Sequence, residues 1–439
     1  MTTLKRTLRT IDGLALIVGI MIGSGIFRTP GLVAGLLGRP GLTFIAWTLG
    51  GGVGLLGALL FAELATRHPQ AGGKYVYARE AFGRRCAFVI GWIEALATYC
   101  VAIAAIAVVS GEYIARLMHS GAAGARFIGV GCIAFLTALN LLGVATGRWF
   151  QNLATAAKVV ALVGVVGVAL LSGSGAGWHG TLPSAPTGLA LWSALAVAFQ
   201  SVIWTSYGYP DAAKIAEEVR DPDRVLPRIF LIGIVGVTAL YLLLNAAFLN
   251  VLPLDRMASS TLVAGDAATL IFGPRAGAAV TALALLAVLA SLNGNLFVTP
   301  RVLFGLARDG LGPRALVRVN AGGTPWPAML LVGVVSAALA ATGTFESLLS
   351  LAVIFILLTD GFMVLVLFRL RARTPHAAFT VPGYPVVPLL FLATYALVLL
   401  GTALRQPGVT AAALGTLVAT YALGRALTPP RLPRGEPAQ

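Results

Sequence analysis

The sequence predicts an all-α integral membrane protein with twelve transmembrane helices. Three observations carry that prediction. The 439 residues are 58% hydrophobic and only 11% charged, where a soluble domain is about half apolar and about a quarter charged. The apolar residues gather into runs near the ~20 residues that one helix needs to cross a bilayer. With both termini placed inside, 22 of the 31 lysines and arginines fall on the inner connections and seven on the outer ones, with Lys158 and Lys214 inside spans. That bias matches the positive-inside rule, with cytoplasmic termini in the cell membrane. Lipid contact and topology thus account for the net charge of +15, and nucleic acid is excluded as a partner.

In chain order, the runs lie at about 12–36, 41–66, 86–117, 127–146, 152–172, 188–219, 228–252, 276–300, 326–343, 347–368, 385–403 and 409–427. The first is preceded by basic residues like a signal peptide. It lacks a short apolar stretch ending in a small-residue cleavage site, so it reads as a span. The sixth and eighth run into charged stretches, whose ends are expected to protrude into water. The longest connections, about 67–85, 173–187, 252–275, 307–325 and 369–384, leave no room for a soluble domain. One membrane domain over 1–428 is expected, with helices 1–5 at about 12–172, helices 6–10 at about 188–368 and helices 11–12 at about 385–427. The proline-rich tail 429–439 is expected to be disordered and cytoplasmic. Cys86, Cys100 and Cys132 make no disulfide framework and no metal-ligand spacing, and read as apolar packing residues.

Two of the runs are interrupted, one in each half. The first break is Gly23-Ser24-Gly25 within Ile17–Phe27, and the second is Tyr207-Gly208-Tyr209-Pro210. Hydrocarbon offers no partners for backbone groups freed at membrane depth, so such a break must face protein, water or a ligand. Paired breaks in corresponding positions point to a transporter substrate site, and breaks in spans one and six suggest a five-plus-five inverted repeat with two extra helices. The helix ending near Met21 presents carbonyls, and the helix resuming near Gly25 presents N–H groups. A carboxylate suits the N–H end, with the Ser24 hydroxyl as a further donor. An ammonium suits the carbonyls of Met21 and those near Trp204 and Thr205. An α-amino acid carries both groups, and Gly23 and Gly25 let it approach the backbone. The alternative is that Gly23-Ser24-Gly25 is a small-residue packing face and Trp204 an interfacial belt residue. The matched second break favours the ligand.

Several patches extend this reading. Gly23-Ser24-Gly25-Ile26-Phe27, Ala62–Tyr77, Glu217–Pro227 and Leu303–Gly310 stand in order over about two thirds of the chain. Together they resemble the amino acid–polyamine–organocation superfamily, and most closely the bacterial relatives of its L-amino acid transporters. The resemblance implies a leucine-transporter-like fold with substrate between helices one, three, six, eight and ten. By the same resemblance Ser24 and Gly25 bind a carboxylate, and the carbonyls of Met21, Trp204 and Tyr207 an ammonium. Trp204 gates the site, and Thr98 and Asn295 touch the substrate side chain. Lys158, seven residues into the fifth span, either snorkels to the interface or rests where sodium-coupled cousins hold a sodium ion, against Gly19 and Ser291. The second reading implies sodium-independent exchange or proton coupling.

The chain also departs from the family. Two residues after Gly208, where many relatives carry a polar or acidic side chain, stands Pro210, followed by Asp211, and Asp211 and Lys214 are spaced to pair at i, i+3. The outer loop at His119–Arg126 has no cysteine, so no disulfide-linked heavy-chain partner is expected. Glu94 reads as paired or as a counter-charge for a cationic substrate. Asp360 is expected beside arginines such as Arg369, and Glu217 and Glu218 against loop arginines. No cofactor, metal site or catalytic constellation is expected. The sequence therefore predicts a sodium-independent secondary carrier of neutral L-amino acids, not an enzyme. Its rivals are a polyamine or cationic amino acid permease and a non-transporting amino acid sensor.

Overall fold

A computed structural model describes residues 10–70, 72–119, 122–142 and 144–427. Among these the chain is mostly helical, with no strand. The elements follow the predicted runs: α1 (Thr10–Met21), α2 (Gly25–Leu37), α3 (Pro40–Arg67), α4 (Lys74–Phe82), α5 (Arg84–Trp92), α6 (Cys100–Leu117), α7 (Ala122–Leu142), α8 (Val144–Ser172), α9 (Gly188–Ser206), α10 (Pro222–Val251), α11 (Leu254–Ser259), α12 (Val263–Phe272), α13 (Pro274–Arg308), α14 (Trp326–Thr342), α15 (Phe345–Arg373), α16 (Val386–Arg405) and α17 (Pro407–Leu427). Ten described helices are long and apolar enough to cross a membrane, and eleven if α1 and α2 form one bent span. The remaining predicted run is α14, a shorter apolar helix of 17 residues.

Local chemistry sets the boundaries. Pro40 opens α3 at a position where its missing N–H costs nothing. A capping box between Thr344 and Ser347 opens α15. The first interruption falls after Met21, and the axes of α1 and α2 differ by 42°. The second follows Ser206. Tyr207 is extended and Gly208 has φ +135, a conformation that L side chains rarely adopt, before a 3-10 run over Tyr209–Glu218. A third irregularity had no signal in the sequence: Ile93–Tyr99, between α5 and α6, is a π-helix. Such turns recur at functional sites.

Burial separates a core from a rim. In the 18-residue membrane-spanning stretch of each, 89% of residues are buried in Arg84–Leu117 and 72% in Phe345–Arg373, against 17% in Pro407–Ala426. The span containing the π turn, together with α15, therefore runs through the middle of the bundle. The last helix lies outside, with Leu414, Val418, Tyr421 and Leu423 exposed as a lipid-facing helix requires. The tail expected to be disordered lies outside the described residues, as do the side chains of Glu217 and Glu218.

Candidate functional site

The two breaks meet. A Cβ on Gly208 would stand 3.0 Å from Met21 and Ile20 side-chain atoms, and one on Gly25 2.7–2.9 Å from Thr205. Around this junction lies a cavity of about 50 Å³. All nine residues expected at a substrate line it: Met21, Gly23, Ser24 and Gly25 from the first break, Trp204, Thr205 and Tyr207 from the second, Thr98 from the π turn and Asn295 from α13. Ser24 is buried and makes no capping bond to α2. Tyr99, Ala102, Asp211 and Ile356 also line the cavity. Sequence reasoning gave Tyr99, Ala102 and Ile356 no role, because only tertiary packing brings them there.

Two of the expected groups already have partners within the protein. The Met21 carbonyl accepts from the Tyr241 hydroxyl (2.8 Å) and from the Gly23 N–H (2.9 Å), so both of its lone pairs are engaged before any ligand arrives. The same Tyr241 hydroxyl lies 3.2 Å from the Thr205 carbonyl and pins both breaks from α10. Lys158 is buried, and its ammonium donates to the carbonyls of Gly19 and Ile22 (2.6 Å to the latter). Ser291, expected beside it, lines the cavity against Gly23, where a Cβ would come within 2.6 Å of its hydroxyl. Lys158 thus satisfies carbonyls that the end of α1 leaves without helical partners.

Two helix breaks meeting at one buried cavity, with Ser24 and Asp211 in its wall, suit a small zwitterion. A match to the amino acid permease family covers residues 8–423. The chain belongs to that family. It is 28% identical over 396 residues to the serine/threonine exchanger SteT of Bacillus subtilis (strain 168), with 89% of each chain covered. It is 29% identical over 419 residues to the human b(0,+)-type amino acid transporter 1, covering 92% of this chain and 84% of that one. It is also 29% identical over 414 residues to the human Asc-type amino acid transporter 1, covering 92% and 79%. The protein is therefore a multi-pass membrane amino acid permease and not an enzyme.

Two sets of ion pairs are linked to residues of the cavity wall. At one end Arg28 pairs with Glu112 and with Glu346 (2.7 Å), and its guanidinium sits 4.8 Å over the Phe345 ring. Phe345 in turn meets Trp204 edge-on at 6.5 Å. At the other end Lys74 pairs with Asp360 at 2.6 Å and donates to the Tyr207 hydroxyl at 2.7 Å. Beside it Lys214 contacts Asp211 (2.8 Å), Glu94 (3.3 Å) and the Tyr99 hydroxyl. Burial opposes the charge on Lys74, but Asp360 and Glu94 outweigh it and hold its pKa above the ordinary lysine value. Asp360 is therefore not beside Arg369, which donates to the Ala81 carbonyl. Asp211 and Lys214 pair as their i, i+3 spacing allowed. Along α15, Glu346, Ile356 and Asp360 follow in order, with about 21 Å from first to last. The cavity thus lies between the two seals.

Proposed function

We propose that this permease is a sodium-independent secondary carrier of neutral L-amino acids with small side chains, working by alternating access. One observation carries the proposal: both helix breaks converge on a cavity that lies between two different sets of ion pairs. That is what a mid-membrane site needs if the two sides open in turn. The substrate carboxylate goes to Ser24 and the N–H end of α2. With Met21 engaged by Tyr241, the ammonium goes to the carbonyls of Trp204 and Tyr207. The cavity corresponds to about four water-sized groups, which favours small side chains. A cationic substrate is disfavoured because Asp211, the carboxylate in the cavity wall, is already held by Lys214 and Tyr99. Sodium independence rests on the Lys158 ammonium occupying the Gly19 and Ile22 carbonyls. In this reading one domain of twelve spans, in two inverted halves and two extra helices, sits in the cell membrane. Its termini and the Lys74 end face the cytoplasm, as the charge bias suggests.

Reconstituted protein should exchange labelled alanine, serine or threonine across liposomes equally well with and without sodium. Excess arginine or putrescine should not compete. Gly25→Leu should abolish exchange, because its side chain must enter the space that Thr205 fills. Binding without exchange would favour a sensor, and inhibition by arginine a cationic permease.

A further inference from the structure

We propose that Tyr209 is a positioning residue of the carrier: its phenol bolts the unwound stretch after α9 into a socket between α3 and α16, and so sets how readily the cavity opens at the Lys74 end. The inference rests on the alternating-access reading above. It extends that reading to α16, a helix from which no described residue lines the cavity.

Tyr209 opens the 3-10 run and is 2% exposed. The socket on α3 is Gly57. A Cβ there would stand 2.1 Å from the Tyr209 hydroxyl oxygen, 2.8 Å from the ring carbon that carries it and 2.9 Å from the Phe391 ring of α16. The phenol therefore crosses α3 where only bare backbone leaves room, and its tip lies against α16. Phe61, one turn further along α3, meets the ring edge-on at 6.0 Å. On α16, Phe391 and Tyr395 stand one turn apart with ring centroids 4.1 Å from each other. The buried Tyr209 hydroxyl approaches that of Tyr395 without an aligned hydrogen bond. Shape rather than polarity thus holds the bolt.

The helix behind the socket has two sides. Phe391, Tyr395, Val398 and Thr402 are buried along one face of α16, and Leu397, Leu400 and Leu404 are exposed on the opposite one. The near end of the bolt is tied to the substrate site. Across Gly208 the ring of Tyr207 meets that of Tyr209 at 6.0 Å. Tyr207 lines the cavity, and its hydroxyl accepts from Lys74. Displacing Tyr209 therefore pulls on a cavity residue and on the Lys74–Asp360 pair together. The charged groups at the Arg28 end stand on α2, α6 and α15 and take no part in the socket. A bolt placed in this way restrains one end of the cavity and leaves the other free.

The test uses the full chain with Cys86, Cys100 and Cys132 replaced and Ala102→Cys as a reporter in the cavity wall. An impermeant thiol reagent is added from one end or the other of uniformly oriented liposomes. Gly57→Ala puts a methyl group into the socket and should raise labelling from the Lys74 end about tenfold, with no rise from the Arg28 end. Tyr209→Leu withdraws the phenol and should raise the same labelling. In the Tyr209→Leu background, Gly57→Ala should add less than about twofold, because the socket then has room for the methyl group. Equal gains from both ends, or a Gly57→Ala effect that persists in full without the phenol, would reduce Gly57 to general helix packing and overturn the inference. Unchanged labelling in either single variant would overturn it too. Any of these results with amino acid exchange intact in the wild type leaves the transport reading standing. Absence of exchange by the wild type would overturn that reading and this inference with it.

Discussion

The two seals of the cavity are built from the same kinds of group and differ in what surrounds them. At the Arg28 end the carboxylates of Glu112 and Glu346 are 31% and 49% exposed, and one guanidinium serves both. At the other end Lys74 and Asp360 are 2% and 0% exposed, with further charges packed alongside. A charge that can turn to water loses little when its partner leaves, whereas a buried one keeps an unpaired charge in a low dielectric. The thin seal can therefore open by rearranging a few side chains. The thick one must admit water to several charges together. The difference accords with the direction of the break in α9: its unwound stretch, Tyr207–Glu218, runs into the thick seal and supplies Tyr207, Asp211 and Lys214 to it.

The largest expected effect tests whether the thick seal is as dry as its burial indicates. Lys74→Met leaves Asp360 without its cation, and Asp360→Leu leaves Lys74 without its nearest carboxylate, 2.6 Å away. Each should destabilise the protein by about 3–5 kcal/mol. The double variant replaces the pair with apolar volume and should recover most of that loss. Thermal unfolding of detergent-purified protein measures all three. Single variants as mild as the double would mean that water reaches the pair and that the contrast between the seals is false.

A smaller effect is expected at the wall between cavity and thin seal. Phe345→Leu keeps an apolar side chain but removes the ring that Arg28 covers and that Trp204 meets edge-on. These contacts contribute about 1–2 kcal/mol together. The closed cavity should lose ground, and bound amino acid should dissociate about tenfold faster, as chase of labelled substrate would record. An unchanged dissociation rate would show that the aromatic pair packs without gating.

What was legible in the sequence divides along the same lines. Breaks announce themselves locally, because glycine and proline interrupt an apolar run at membrane depth. Ser24, Gly25, Trp204 and Tyr207 could therefore be found, and the structure gathers them round one cavity. The partners across the bundle had no local signal. Tyr241 reaches Met21 from 220 residues away, and Lys74 reaches Asp360 from a connection 285 residues earlier than its neighbour Thr359. Placing Asp360 beside Arg369 failed for a simple reason of register. Nine residues turn a helix through about two and a half revolutions, which puts the two on opposite faces. The π turn was equally hidden, since Ile93–Tyr99 has the composition of any apolar helix.

The smallest expected effect belongs to the charges of the thin seal. Arg28→Gln removes both ion pairs and leaves a side chain that can still hydrogen-bond. Glu112 and Glu346 then turn to the water they already meet, so the loss should be about 0.5–1 kcal/mol. That shifts the opening equilibrium by about two- to fivefold. A cysteine at the cavity residue Ala102, with Cys86, Cys100 and Cys132 replaced, would report it through its rate of reaction with an impermeant thiol reagent. Salt supplies the control. At about 1 M the screening length falls to ~3 Å, so the wild type should approach the Arg28→Gln rate, while the variant itself should barely respond. A fifty-fold change in reactivity, or a difference that salt leaves intact, would mean that these charges sit in a dry environment. The two ends of the cavity would then be energetically alike despite their unequal exposure.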